Sequence, residues 1–236
     1  MSRRRSVLSY GLLGAVAWAA PAPAAHLPSL ARALRIPLRL PGAGGVAITF
    51  DDGPHPQGTP AVLDALATSG AIATFFLVGE QVERFPALAA EIAAAGHEIA
   101  IHGYRHRLLL RRSPRALAAD FDRAAAVIGE ATGRASPVYR PPYGVLSSPA
   151  LAIVRRRGWT PYLWSKWGWD WTANATAASI AARATAGLAA GDIVLLHDAD
   201  HYSSPGSWRN TAAALPAVLD AVAALGVDCV SVTQST

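Results

Sequence analysis

The sequence predicts an α/β fold, a distorted (β/α) barrel of about seven units, on three observations. From Gly45 onward, short apolar runs alternate with alanine-rich stretches of helical length. The runs are apolar on both faces, the pattern of parallel strands covered by helices. About seven such units recur, and that number favours a barrel over an open sheet. A chain of 236 residues has room for one substantial domain with a full core.

The strands are expected at Val46–Phe50, Ala73–Leu77, Glu98–Ile101, Val138–Tyr139, Thr160–Trp164, Ile193–Leu196 and Cys229–Val232. Thr59 is expected to cap a helix over Pro60–Thr68, with Pro at its first position and Gly70 past its end. Pro86–Ala95 is a second helix, closed by Gly96. Ser113 caps a third, with Pro114 at its first position, running to Thr132 before Gly133. Ser148–Arg157 closes at Gly158. Ala175–Leu188 and Ser207–Leu225 complete the set, the last closed by Gly226.

Two segments precede the barrel. Residues 1–25 read as a signal peptide: Arg3–Arg5, then an apolar stretch from Val7 to about Ala20, then small residues and prolines with Ala22-Pro23-Ala24 as cleavage site. Arg4-Arg5-Ser6-Val7-Leu8 also fits a loose twin-arginine pattern. A secreted or cell-envelope location follows, with membrane attachment only if the signal stays uncleaved. Residues 26–44 are a lead-in rich in Pro, Leu and Gly, and residues 45–236 form the main domain.

Composition excludes several classes. With 52% hydrophobic and 16% charged residues the chain is globular, not disordered. Of the formal +5, three charges sit in Arg3–Arg5, leaving +2. The densest remaining cluster, Arg155–Arg157, reads as a solvated helix end, so nucleic acid is not an expected partner. The lone Cys229 rules out an intrachain disulfide or a CxxC-type zinc site and reads as a small buried residue.

In such barrels the site lies at the C-terminal ends of the strands, and five out-of-place polar groups fall there. Asp51-Asp52-Gly53-Pro54 follows the first strand and His102-Gly103-Tyr104-Arg105-His106 the third. Arg140-Pro141-Pro142-Tyr143-Gly144 follows the fourth, Asp170-Trp171 lies past the fifth, and His197-Asp198 follows the sixth. His102 and His106, four apart, are candidate ligands for one metal ion, with one carboxylate of the Asp51-Asp52 pair as the third. Side chains alternate along a strand, so the two aspartates cannot point the same way. One is free to face a metal-bound water as base. His197 at a strand end is either a neutral core histidine or a general acid held protonated by Asp198 or another acid in the mouth. Arg140 suits a salt bridge to a carboxylate.

Together these five segments resemble the polysaccharide deacetylase family, also called the NodB-homology or carbohydrate esterase family 4 domain. Thr49-Phe50-Asp51-Asp52-Gly53-Pro54-His55 is similar to its first motif, His102–His106 to its second and Arg140–Tyr143 to its third. Asp170-Trp171 is similar to its fourth, and Leu195-Leu196-His197-Asp198 to its fifth. The resemblance spans Gly45 to Val232. It implies a divalent metal, usually Zn2+, held by Asp52, His102 and His106. It implies Asp51 as base, His197 as acid, Arg140 orienting Asp51 and Asp170 supporting the pair. It further implies the Tyr143 N–H as oxyanion donor, and Trp171 and Leu196 lining an acetyl pocket. The expected partner is an acetylated polysaccharide or oligosaccharide, and the expected state a monomer.

Two positions depart from the family pattern: Gly103 stands where Ser or Thr is usual, and Trp167 where an acid often precedes Asp170. Trp164, Trp167, Trp169 and Trp171 are candidates either for core packing or for stacking on sugar rings. The loop Asp200–Trp208 is expected beside the site, contacting substrate. Rival readings are an O-acetyl xylan esterase, a non-catalytic glycan-binding domain and a non-haem Fe(II) oxygenase. The intact Asp51, Asp52, His102, His106 and His197 speak against the second. The Asp preceding both histidines speaks against the third.

Overall fold

Strand β1 (Gly45–Asp51) runs through the centre of the molecule, and all seven of its residues are buried. It pairs in parallel with β2 (Thr74–Leu77) on one side and β7 (Ile193–His197) on the other. The order continues through β3 (Glu98–Ile101) and β4 (Val138–Tyr139) to β5 (Thr160–Pro161) at one edge. At the other edge β6 (Lys166–Trp167) follows β7. β8 (Asp228–Cys229) adds to the start of β1. The pairings among these strands are all parallel, as expected for a sheet curled into a (β/α) barrel. This computed structural model describes residues 14–42 and 44–234. The leader's Arg3–Arg5 and the start of its apolar stretch therefore lie outside the described residues. Among the described residues no helix is long and apolar enough to cross a membrane.

The helices form where caps and spacing place them. α1 (Pro28–Ala33) lies in the lead-in, and α2 (Gly58–Ser69) follows β1. α3 (Gly79–Arg84), which sequence did not suggest, precedes α4 (Pro86–Ala94). α5 (Pro114–Thr132) starts at Ser113, whose side chain accepts from the Ala116 N–H. α6 (Ser148–Arg156) is capped by Ser147. α7 (Ala177–Thr185) opens with a reciprocal Thr176–Ser179 capping box. α8 (Ser207–Ala224) closes the set.

Several expectations need correction. The strand foreseen at Thr160–Trp164 ends at Pro161, because the next backbone groups have other partners. The Leu163 N–H donates to the Pro37 carbonyl (2.9 Å), and the Tyr162 and Leu163 carbonyls accept from Arg140. The chain resumes pairing at Lys166 as β6, a strand the sequence does not suggest. The strand at Cys229–Val232 ends at Cys229, since the Val232 N–H turns to Thr74 and Glu98. Cys229 itself is half-buried rather than buried. Thr59 caps nothing: α2 begins at Gly58, and the Thr59 hydroxyl donates to Asp198 while accepting from the His55 N–H. The lead-in is part of the body, with Ala31 and Ile36 buried in the common core.

Candidate active site at the strand ends

Asp51 is the last residue of β1, and Asp52 turns away from it in the left-handed region at φ 79°. That turn gives the two carboxylates different neighbours: Asp52 faces both His102 and His106, and Asp51 only His102 of that pair. Gly53 comes next because a Cβ there would stand 2.5 Å from the Asp198 carboxylate. Asp52 is 2% exposed, and its Oδ1 has no hydrogen-bond partner. Facing that oxygen are His102 Nε2 at 3.5 Å and His106 Nε2 at 3.4 Å.

The protonation of His102 follows from its other nitrogen. Nδ1 lies 2.8 Å from the Arg140 carbonyl, which can only accept, so Nδ1 carries the proton. Burial pushes its pKa down to about 3, so the ring is neutral and Nε2 is bare. Burial likewise drives His106 down, and raises Asp52 to about 7. Unpaired donor atoms thus converge on one point. Ligands about 2.1 Å from a common ion at tetrahedral angles stand roughly 3.4 Å apart. The three ligand atoms lie within 4.8 Å of one another, and the donor set fits a divalent cation.

Arg140, fully buried after β4, ties this cluster to Asp51. Its Nη1 donates to Asp51 Oδ1 (2.7 Å) and to Thr49 Oγ1 (2.8 Å), and its Nη2 to the Leu163 carbonyl (3.0 Å). The guanidinium lies 3.8 Å from the Phe76 ring centroid. Burial raises the Asp51 pKa, opposed by Arg140 and His197. Asp51 Oδ2, not engaged by Arg140, is 3.7 Å from His102 Nε2.

His197 sits opposite Asp51 in the β1–β7 register. Its Nδ1 donates to Asp170 Oδ1 (2.9 Å), while Asp170 Oδ2 accepts from the His197 N–H (2.7 Å) and the Thr211 hydroxyl (2.8 Å). Burial alone would lower the His197 pKa. The charge and hydrogen bond of Asp170, joined by Asp52 and Asp51, more than offset it and raise the pKa to about 10. The acid that holds His197 is therefore Asp170. Asp198 instead accepts from Thr59, and burial lifts its pKa to about 7.

A cavity of about 630 Å³ opens over this cluster. Asp51, Asp52, His102, His106, Tyr143, Trp171 and His197 all line it, but Leu196 does not. Leu195 takes that place, because alternation puts it on the same face as His197. Leu196 points the other way: a Cβ on Gly168 would lie 2.9 Å from Leu196 Cδ2 and 2.8 Å from Ile180 Cγ2. Tyr143 stands at φ 60°, and among the described residues its N–H donates to no backbone acceptor.

Sequence reasoning did not single out Tyr202 or His26. Tyr202 stacks on His106 with ring centroids 4.4 Å apart. Its hydroxyl donates to Glu80 (2.7 Å) and accepts from Gln81 (2.9 Å). His106 Nδ1 has no hydrogen-bond partner, and Tyr143 packs edge-on against the same ring at 4.4 Å. The Tyr202 stack thus holds this imidazole as the Arg140 carbonyl holds His102. Ser203 beside it also lines the cavity, so the 200–208 loop lies at the site as expected. Only its position near the last motif could have pointed to Tyr202.

Residues 41–162 match the polysaccharide deacetylase family profile. A peptidoglycan-N-acetylglucosamine deacetylase of Bacillus cereus is 35% identical over 194 residues, covering 80% of this chain and 86% of that one. A chitooligosaccharide deacetylase of a Bradyrhizobium strain is 37% identical over 158 residues, covering 66% and 72%. Among solved structures, a family 4 carbohydrate esterase from Streptomyces lividans in complex with acetate superposes with a TM-score of 0.71. It is 30% identical, covering 79% of this chain and 91% of that chain. A peptidoglycan N-acetylglucosamine deacetylase gives a TM-score of 0.75 at 28% identity, covering 81% and 87%.

Proposed function

This chain belongs to the polysaccharide deacetylase family, and from that premise we propose that it is a secreted, metal-dependent hydrolase that removes acetyl groups from N-acetylated glycan. The observation that carries the metal is the buried, unpartnered Asp52 Oδ1 facing the bare Nε2 of His102 and the Nε2 of His106. A cation among these atoms would take up the lone pairs that otherwise face one another there. A divalent cation there, Zn2+ by its oxygen and nitrogen donors, supplies Lewis acidity toward the acetyl carbonyl and acidifies a water.

The chain's own residues do the rest. Asp51, aimed by Arg140, takes a proton from the attacking water. The free Tyr143 N–H faces the carbonyl oxygen as charge develops on it. His197, held protonated by Asp170, gives its proton to the leaving nitrogen. Trp171 and Leu195 shelter the methyl group. The relatives named above act, by their names, on peptidoglycan and chitooligosaccharide, and both offer an N-acetylglucosamine unit.

Acetate release from an N-acetylglucosamine oligomer and from acetylated xylan, with and without chelator, tests this reading. Chelator-sensitive release from the first supports it, whereas preference for xylan would turn it to ester chemistry. Asp170→Asn is expected to lower turnover on the oligomer by about 10²-fold or more, because His197 loses the charge that keeps it an acid. Bound metal, measured by mass spectrometry, should be unchanged.

Tyr202→Leu removes the ring over His106 and is expected to weaken metal retention by roughly 10-fold. Tyr202→Phe keeps the stack and should retain it. Chelator competition on the apoprotein reads this, and equal loss in both variants would assign the effect to the hydroxyl instead. Export through the 1–25 leader is tested by N-terminal sequencing of protein recovered outside the cytoplasm. A start at Ala25 supports cleavage after Ala22-Pro23-Ala24.

A further inference from the structure

The cavity extends well past the space an acetyl group fills, and its far side is aromatic. Trp167, Trp169 and His26 line it there. The His26 and Trp167 rings are 5.6 Å apart, and Trp167 meets Trp169 edge to face at 6.0 Å. Trp169 is 43% exposed, an unusual setting for the largest apolar side chain. It sits at φ 55°, a region bulky residues rarely occupy and one that clusters at ligand sites. Thr172 locks that turn by donating from its hydroxyl (3.0 Å) and its N–H (3.3 Å) to the Trp169 carbonyl. The Arg183 guanidinium lies 5.2 Å from the ring centroid. Among the described residues, neither the Trp167 nor the Trp169 indole N–H has a hydrogen-bond partner in the protein, though both rings border the cavity.

An exposed, rigidly held aromatic surface with free N–H donors matches a sugar ring, which offers a C–H face for stacking and hydroxyls at its edge. We propose that Trp167, Trp169 and His26 form a binding site for a second, neutral pyranose ring, next to the unit whose acetyl group is removed. Trp167 stands where the family pattern often has an acid, so this apolar wall belongs to this chain's own sequence. His26 comes from the lead-in, which gives that segment a part in substrate choice. The site rests on the deacetylase reading and deepens it: the substrate is an oligomer of at least two rings.

The test compares acetate release from N-acetylglucosamine and from its pentamer by the metal-loaded wild type and Trp169→Ala. The wild type is expected to favour the pentamer. Trp169→Ala should cut that preference about 10-fold, through KM rather than kcat. An equal loss on the monomer and the pentamer, or no loss on either, overturns the site. Pentamer binding, followed by calorimetry, separates this inference from the reading beneath it. If the wild type releases no acetate, the deacetylase reading fails. Pentamer binding that is strong in the wild type and lost in Trp169→Ala still establishes the site, and equal binding by both removes it. Should Trp169→Ala not fold, as judged by circular dichroism, His26→Ala probes the same wall from an exposed position, with the same outcomes.

Discussion

Asp51→Asn is expected to lower acetate release by about 10²–10⁴-fold, the contribution of a positioned general base, while leaving metal content at the wild-type level. The division follows from geometry. Asp51 Oδ1 is committed to Arg140, and Oδ2 remains for the water. Asp52, turned by its left-handed backbone, stands between both histidines. Asn preserves shape and keeps an acceptor for the buried Arg140. The change should therefore cost less than the about 3–5 kcal/mol of stability that abandoning a buried charge incurs. Asp51→Ala would confound chemistry with folding. Acetate assay and metal analysis on one preparation check the prediction. Metal as depleted as in a histidine variant would show that both aspartates bind the ion.

His102→Ala is expected to abolish turnover by the opposite route, through loss of metal. Removing a mere hydrogen-bond partner of a metal ligand costs about 10–100-fold in affinity, so losing the ligand itself should cost more. Of the three proposed ligands His102 is also firmly held, 2% exposed with Nδ1 fixed on the Arg140 carbonyl. His106 depends on stacking and should tolerate change in its surroundings less well. Chelator competition on the two apoproteins measures the affinity. Full metal occupancy in His102→Ala would refute the assigned ligand set.

The parts of this molecule legible in sequence are those where burial leaves a strong pattern. Val46–Phe50 and Ile193–Leu196 are apolar on both faces because β1 and β7 lie at the centre of the sheet. The polar residues that interrupt such runs stand out, and Asp51, Asp52, His102, His106, Arg140, Asp170 and His197 were all found that way. Illegible were features decided by tertiary partners. Two residues, Lys166-Trp167, are too few to show a period, and only the edge of β7 makes them a strand. Thr59 looked like a cap, but Asp198 competes for its hydroxyl. Trp171 and Leu196 came from the motif, and strand parity shows that Leu195 rather than Leu196 shares the face of His197. Tyr202 and His26 reach the site from loops that carry no periodicity at all.

Arg140 touches Asp51, the proposed base, with its side chain and His102, a proposed metal ligand, with its own carbonyl. It therefore acts as a spacer of fixed length between the Asp51 carboxylate and the His102 ring. A disturbance of the backbone after β4 would shift both together and misalign neither against the other. The register between base and metal is thus tolerant of small deformations of the barrel, yet the carbonyl half cannot be altered by any side-chain substitution. Attempts to retune this enzyme toward other glycans have most freedom along the Trp169 wall, which shares no bond with that spacer.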